Sequence, residues 1–452
     1  MGKTLSKTLA EFGRRTSYQD LPPEVIHQAK RVVLDFIGVA LAGSRIGLAP
    51  ITTPLIANLG GAAEATVIGD GRRLPAMQAA FLNGVSGHTL DMDDGQRYAN
   101  GHPGVGVIPP ALALAERADL SGREVIEAVV VGYEAFLRLG RAINPSHLNR
   151  GFHTTATAGA FSAAAASAKV LKLGVEQTAH ALALAGLQSA GLLEVTTTGQ
   201  MGKHFQAGKA AQNGVLAALV AEKGGEGPEE IFEGAKGFLA AYTDLKDQGG
   251  LWGELGRPYQ IMSIYFKRHA ACRHIHAAID AIEEIQRRHA LSPAAITGIE
   301  VNIYTIAQKI AGQNTKTASA IAAKFSLPVS AALMVVYGRN DGEVYTQKCV
   351  ENHLVQDLAA KVSLKIDPQR DKVYPAERGA SVTVTAGGKK YSHEFALPKG
   401  DPENPLSDEE LAEKFEKNAG VILAGEKAAA LRRRLFDLEN QSLREVMAGL
   451  RP

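Results

Sequence analysis

From Pro23 onward the apolar residues Val25, Ala29, Val32, Val33, Phe36, Ile37, Ala40 and Leu41 recur three or four positions apart. That spacing predicts a helix with one face in a core, and Gly43 is suited to end it. The same periodicity predicts helices near 75–90, 108–118, 122–143, 155–171, 175–191 and 205–223, with few β-branched runs between them. Residues 156–168 are almost all Ala, Gly and Ser, which lets neighbouring helices approach closely. The first half of the chain therefore reads as helical.

After Tyr265 the pattern changes. Residues 297–304 and 361–366 alternate apolar and polar side chains, as strands do, and the runs 381–385 and 390–395 flank Gly387 and Gly388 as a hairpin would. Beyond the Pro-rich stretch 398–405, Ser407 and Glu410 have the spacing of a capping box, and Leu406 with Leu411 that of a hydrophobic staple. Helix then resumes. At 452 residues the chain is longer than one core usually organises. The expected fold is mostly α with an α+β lid: a helical domain over 1–264, a smaller α+β domain over 265–404, and C-terminal helices over 405–452 that return to the first domain.

Composition narrows the function by exclusion. With 49 basic and 47 acidic side chains the formal charge is +2, too small a field to recruit nucleic acid or a membrane surface. No apolar run approaches membrane-spanning length, and the N-terminal residues lack the apolar stretch of a secretion signal. The two cysteines, Cys272 and Cys349, are too far apart in sequence to suggest a disulfide framework and too few for an iron–sulfur centre. The expectation is a cytoplasmic protein with no nucleic-acid or membrane partner, in which any preference for anions is local.

Three polar clusters carry candidate chemistry. The first is HTLDMDDG (88–95) with GHPG (101–104). Its carboxylates can cap a helix, can hold magnesium, since several close carboxylates suit a hard cation, or can orient a histidine for general-base work. No second acidic run is at hand to complete a metal cage. The second is GFHTT (151–155) with GQMGKHFQAGK (199–209), where glycines let Lys203 project from a tight turn toward an anion; His204 after Gly202-Lys203 rules out a phosphate-binding P-loop. The third is YFKRHAACRHIH (265–276), where Lys267, Arg273, His274 and His276 gather positive charge near the expected domain boundary. Cys272 beside Arg273 reads as a packed thiol, because nothing nearby nominates its base.

Taken in order, these clusters resemble the MmgE/PrpD family over almost the whole chain, along with LDFIGVALAG (34–43), KFS (324–326) and GDPENP (400–405). The resemblance implies a helical domain built from both chain ends, an α+β lid and a homodimer. It also implies an active site of Asp91, His102, His153, Lys203 and Lys267, with Asp93, Arg273 and His276 as further substrate contacts. The family includes 2-methylcitrate dehydratase, cis-aconitate decarboxylase and iminodisuccinate epimerase. Two departures stand out: His269-Ala270 replaces a common Tyr-Pro, and Cys272 stands where the decarboxylase branch carries His.

These activities share one demand, that negative charge develop on a carbon next to a carboxylate. Lys203, Lys267, His102 and Arg273 can stabilise that charge, Asp91 can take a proton or orient His102, and His153 or a lysine can donate one. The expected function is a metal-free, cofactor-free hydro-lyase of 2-methylcitrate or a related small hydroxy-polycarboxylate. The alternatives are an epimerase or decarboxylase of a similar acid, or a non-catalytic member that only binds anions.

Overall fold

The computed structural model describes residues 3–196, 200–244, 251–312 and 319–452. Gly199, at the head of the second polar cluster, lies outside the described residues. The chain is mostly helical with one small mixed sheet. The helices that build the site are α1 (Pro23–Gly43), α2 (Ala76–Thr89), α3 (Gly104–Ala118), α4 (Gly122–Ile143), α5 (Thr154–Val170) and α6 (Gly202–Glu222). Pro23 at the first turn of α1 loses no helical hydrogen bond, and the buried face of α1 follows the apolar spacing read from the sequence.

Small residues set how closely these helices cross. Every residue of α5 except Lys169 is buried, and α5 packs against α3, α4 and α6. At the α2–α6 crossing, a Cβ built on Gly84 would lie 3.0 Å from the Gly208 Cα. Only glycine admits two backbones at that distance.

The second half holds helices α7 (His276–His289) and α8 (Leu327–Tyr337) and strands β1 (Ile296–Ile303), β2 (Val362–Ile366), β3 (Ala380–Ala386) and β4 (Lys389–Phe395). The sheet order is β2-β1-β3-β4, with β1 parallel to β2 and antiparallel to β3, and β3 antiparallel to β4. Alternate residues of β3 are buried against α7. Two apolar cores result. One spans Leu9 to Phe266 and resumes from Leu406 to Leu450; the other runs from Ala270 to Ala386 and takes in Val39, Ala42, Leu90 and Met92 from the helical body.

The tail helix α9 (Asp408–Ala419) packs on α1. Ser407 and Glu410 form the reciprocal capping box at its start, and Leu406 and Leu411 are buried in the first core. None of the helices among the described residues is long and apolar enough to cross a membrane.

Candidate active site

Three long helices begin at one place. Helix α3 starts just after His102, α5 just after His153 and α6 just before Lys203, and these helices pack on one another. Their N-termini present the positive end of the helix dipole, a setting that favours an anion. Helix α2 arrives the other way, ending at Thr89 immediately before the acidic run.

Asp91 turns the chain there with a left-handed backbone, φ 54°, a conformation Asp tolerates better than most residues. Its carboxylate is buried and meets two lysines: the Lys203 Nζ lies 2.5 Å and the Lys267 Nζ 3.1 Å from Oδ1. Lys267 also donates to the Asp91 carbonyl at 2.9 Å. Burial alone would raise the Asp91 pKa, but Lys203 and Lys267 more than offset it and hold the group well below the usual carboxylate range. Its Oδ2 has no hydrogen-bond partner among the described residues. Lys267 is placed by the main chain around it, where Tyr265 and Gly95 exchange hydrogen bonds of 2.8 and 3.0 Å and the Phe266 N–H donates to the Gly400 carbonyl at 3.0 Å. Gly400 has φ +98°, and a Cβ there would stand 2.1 Å from the Phe266 carbonyl oxygen.

The imidazoles form a second group. His88 Nδ1 lies 2.8 Å from Asp93 Oδ2. His102 Nδ1 lies 2.6 Å from the Asp94 carbonyl and 3.4 Å from Asp93 Oδ2, and His153 Nδ1 is 2.8 Å from Gln206 Oε1. The His88 ring sits between the other two, with centroids 5.1 Å from His102 and 6.1 Å from His153. Carbonyl, amide and carboxylate oxygens only accept, so each Nδ1 carries the hydrogen and each Nε2 keeps its lone pair. Burial, with Lys203 adding to it, lowers His153 to about 4. Burial lowers His88 and His102 well below their ordinary value. These are neutral bases at neutral pH. Asp94 is different: burial pushes it up to about 8 despite hydrogen bonds from the Tyr133 hydroxyl at 2.8 Å and the Gly104 N–H at 3.1 Å.

This geometry bears on how several of the expected roles are read. His102 is a neutral base rather than a cation holding carboxylates, and it is oriented by Asp93 and the Asp94 carbonyl, not by Asp91. Asp91, pinned by two lysines, is a counter-charge and a poor proton acceptor. Asp93 faces two imidazoles, His88 and His102, an arrangement that positions the rings. Arg273 is committed elsewhere: its guanidinium pairs with Asp401 at 2.9 Å, stacks 4.6 Å from the Tyr265 ring centroid and donates to the Lys399 carbonyl at 3.1 Å. Both nitrogens of fully buried His276 are likewise used, Nδ1 by Arg273 at 3.1 Å and Nε2 by the Ala271 carbonyl at 3.1 Å. Arg273, with His276 behind it, therefore fastens the 398–401 strap.

The magnesium reading of the acidic run has no support in the geometry, because Asp91, Asp93 and Asp94 point to three different sets of partners. Among the described residues, three metal-capable donor atoms come within 4.8 Å of one another at His269, Asp280 and Glu283. There the Arg268 guanidinium already pairs with Glu283, and His269 Nε2 lies 2.8 Å from Asp280. Cys272 is buried and its thiol is pushed up by burial and by Asp91, so it is protonated and inert.

Two lysines at the site were not among the candidate site residues read from sequence, although Lys324 opens the KFS run (324–326) that carries the family resemblance. Lys324 donates to the carbonyls of Thr89 at 3.1 Å and Leu90 at 2.8 Å. Burial, with Lys203 and Lys267 nearby and Asp91 opposing, brings its ammonium down to about 8. Lys414 of α9 donates to the Met92 carbonyl at 2.8 Å and pairs with Asp35 of α1 at 2.5 Å. Its sequence signal was available, since position 414 falls on the buried face defined by Leu411, Phe415 and Asn418.

The chain is similar to known proteins over most of its length. The model of the MmgE/PrpD N-terminal domain matches residues 7–249 and that of the MmgE/PrpD C-terminal domain residues 269–438. A cis-aconitate decarboxylase-like protein of Aspergillus oryzae is 27% identical over 448 residues, covering 94% of this chain and 92% of that protein. The cis-aconitate decarboxylase of Aspergillus terreus is 29% identical, covering 92% and 89%, and that of Homo sapiens 26% identical, covering 97% and 93%. The two domain matches together take in nearly the whole chain, which belongs to the MmgE/PrpD family.

Proposed function

We propose that this protein is a lyase that decarboxylates a small unsaturated tricarboxylate of the cis-aconitate kind, without metal or organic cofactor. The observation that carries the reading is the excess of buried positive charge: Lys203 and Lys267 share the single carboxylate of Asp91, with the Lys324 ammonium buried nearby, where three helix N-termini meet. Such a site attracts a polyanion and is preorganised for charge that develops on it. The relatives named as cis-aconitate decarboxylases, which align over nine-tenths of this chain, support this choice over the dehydration expected from sequence.

In the reaction the bond to one carboxylate breaks and CO2 leaves. The electron pair moves into the neighbouring C=C–carboxylate system, whose charge Lys203 and Lys267 stabilise, and a proton is added to carbon. A substrate carboxylate beside His102 or His153 raises the imidazole pKa, so either ring can take up a proton on binding and deliver it from Nε2. One proton is consumed for each CO2 released.

A second reading, dehydration of a hydroxy-polycarboxylate such as 2-methylcitrate, is favoured by the free Nε2 lone pairs, which suit α-proton abstraction, and by the neutral Cys272 thiol at the position where the decarboxylase branch has His. Incubation with each acid separately, following CO2 release and product mass, separates the two. We expect one CO2 and one five-carbon unsaturated diacid per cis-aconitate consumed. Loss of water from 2-methylcitrate with no CO2 from cis-aconitate would establish the second reading instead.

A further inference from the structure

We propose that Lys324 is a positioning residue through which the α+β part of the molecule fixes the Asp91 turn. It follows the short helix Ala320–Ala323, is 5% exposed, and reaches the helical body to donate to the last-turn carbonyls of α2 at Thr89 and Leu90. No carboxylate of the described residues lies within 4.0 Å of its ammonium, so these two carbonyls are what it is buried for. The negative end of a helix dipole is the place where a cation on carbonyl oxygens is favoured. The next residue, Asp91, leaves the helix with φ 54° and thereby puts its carboxylate against Lys203 and Lys267.

Lys324 is tied at its other end as well, its own carbonyl accepting from the Cys272 N–H at 2.9 Å. Lys267 and Cys272 lie on one short stretch, so Lys324 links that stretch to the end of α2 across the boundary between the two cores. Seating of the α+β part and the orientation of Asp91 are thus one event. A lysine that only filled space would not require both carbonyls, and with two of its three N–H donors on the main chain Lys324 is fastened to the end of α2 rather than free to follow a ligand.

The test has two arms. The kinetic arm rests on the proposed lyase activity; the exchange arm does not. For Lys324→Met, kcat should fall by roughly thirtyfold with KM changed by less than about threefold. Lys324→Arg, which keeps a charged donor, should recover most of the loss. Amide hydrogen exchange on the same proteins should show the Asp91 and Gly95 amides, bonded to the His88 and Tyr265 carbonyls, losing about tenfold in protection in Lys324→Met while α8 is unchanged. The proposal is overturned by a kcat within twofold of wild type, or by a KM that rises as much as kcat falls. It is also overturned by exchange at Asp91 and Gly95 that is unchanged, or that quickens equally throughout α8. If no substrate is turned over by wild type, the exchange arm still decides it.

Discussion

Asp91 shows what a single residue carries here. It balances Lys203 and Lys267 inside the protein, so Asp91→Asn leaves two buried ammonium groups without their counter-charge. Removing one member of a buried ionic cluster costs about 3–5 kcal/mol. We predict a clear drop in melting temperature together with loss of turnover; a variant as stable as wild type would show that the pairing is dispensable. Asp94 makes a separate prediction through pH. Its folded-state pKa of about 8 stands above the unfolded 3.8, so the folded chain keeps a proton that the unfolded chain has released. That contribution is complete below the unfolded value and is lost as pH rises through the folded one. Wild type should therefore lose more melting temperature between pH 6 and pH 9 than Asp94→Asn, and equal losses would contradict the assignment. Residue types near the site were legible in sequence because histidine, lysine and aspartate gather in glycine-bordered runs. Their states were not. Whether an imidazole is charged, or whether Arg273 is free for substrate, depends on partners such as Asp401 more than a hundred residues away.

At the scale of elements, the helices of the first half were readable because apolar periodicity and end signals agree: α4 spans Gly122–Ile143 and α1 spans Pro23–Gly43, as their patterns predict. The β3–β4 hairpin was readable for the same reason, with Gly387 and Gly388 both at positive φ. The parallel pairing of β1 with β2 was not, since a crossover of some sixty residues leaves no local mark. The three helix starts that converge on the site were equally hidden, because convergence follows from packing rather than from any one segment. That packing depends on small residues. A Cβ on Gly208 of α6 would lie 2.6 Å from the Phe81 carbonyl and 2.6 Å from Val85 Cγ2 in α2. Gly208→Ala should force α2 and α6 apart and cost about 1–3 kcal/mol. Because Lys203 starts α6 and Asp91 follows α2, the variant should lose activity beyond its loss of stability. Calorimetry and kinetics on the same preparation check this, and unchanged values in both would mean that the two helices tolerate separation.

For the molecule as a whole, the buried neutral histidines predict acid lability. His147 and His153 titrate at about 4 and His204 at about 3 in the folded state, lowered first by burial. Unfolding lets each take up a proton near pH 6.5, so the stability they confer is full above that pH and is lost as pH falls toward the folded values. Each contributes a slope of about 1.4 kcal/mol per pH unit. Melting temperature should fall steeply from pH 6.5 to pH 4; a flat profile would mean that the histidines are not buried neutral. The cofactor-free account also predicts that exhaustive chelation leaves turnover intact, whereas loss with EDTA and recovery with a divalent metal would bring His269, Asp280 and Glu283 or the acidic run into the mechanism. The two cores, one closed by the returning α9, could be anticipated from the strand signal confined to the second half. How the lid reaches the site through Lys324 could not, because two main-chain carbonyls leave no trace in a sequence. The central claim is that preorganised lysine charge performs the chemistry, and one comparison tests it most directly: CO2 release from cis-aconitate by wild type and by Lys203→Met at equal folded concentration. Asp91 keeps Lys267 in that variant, so the fold should hold, and losing one electrostatic donor worth about 3 kcal/mol should slow turnover about a hundredfold or more. A folded Lys203→Met enzyme working within about threefold of wild type would contradict the account.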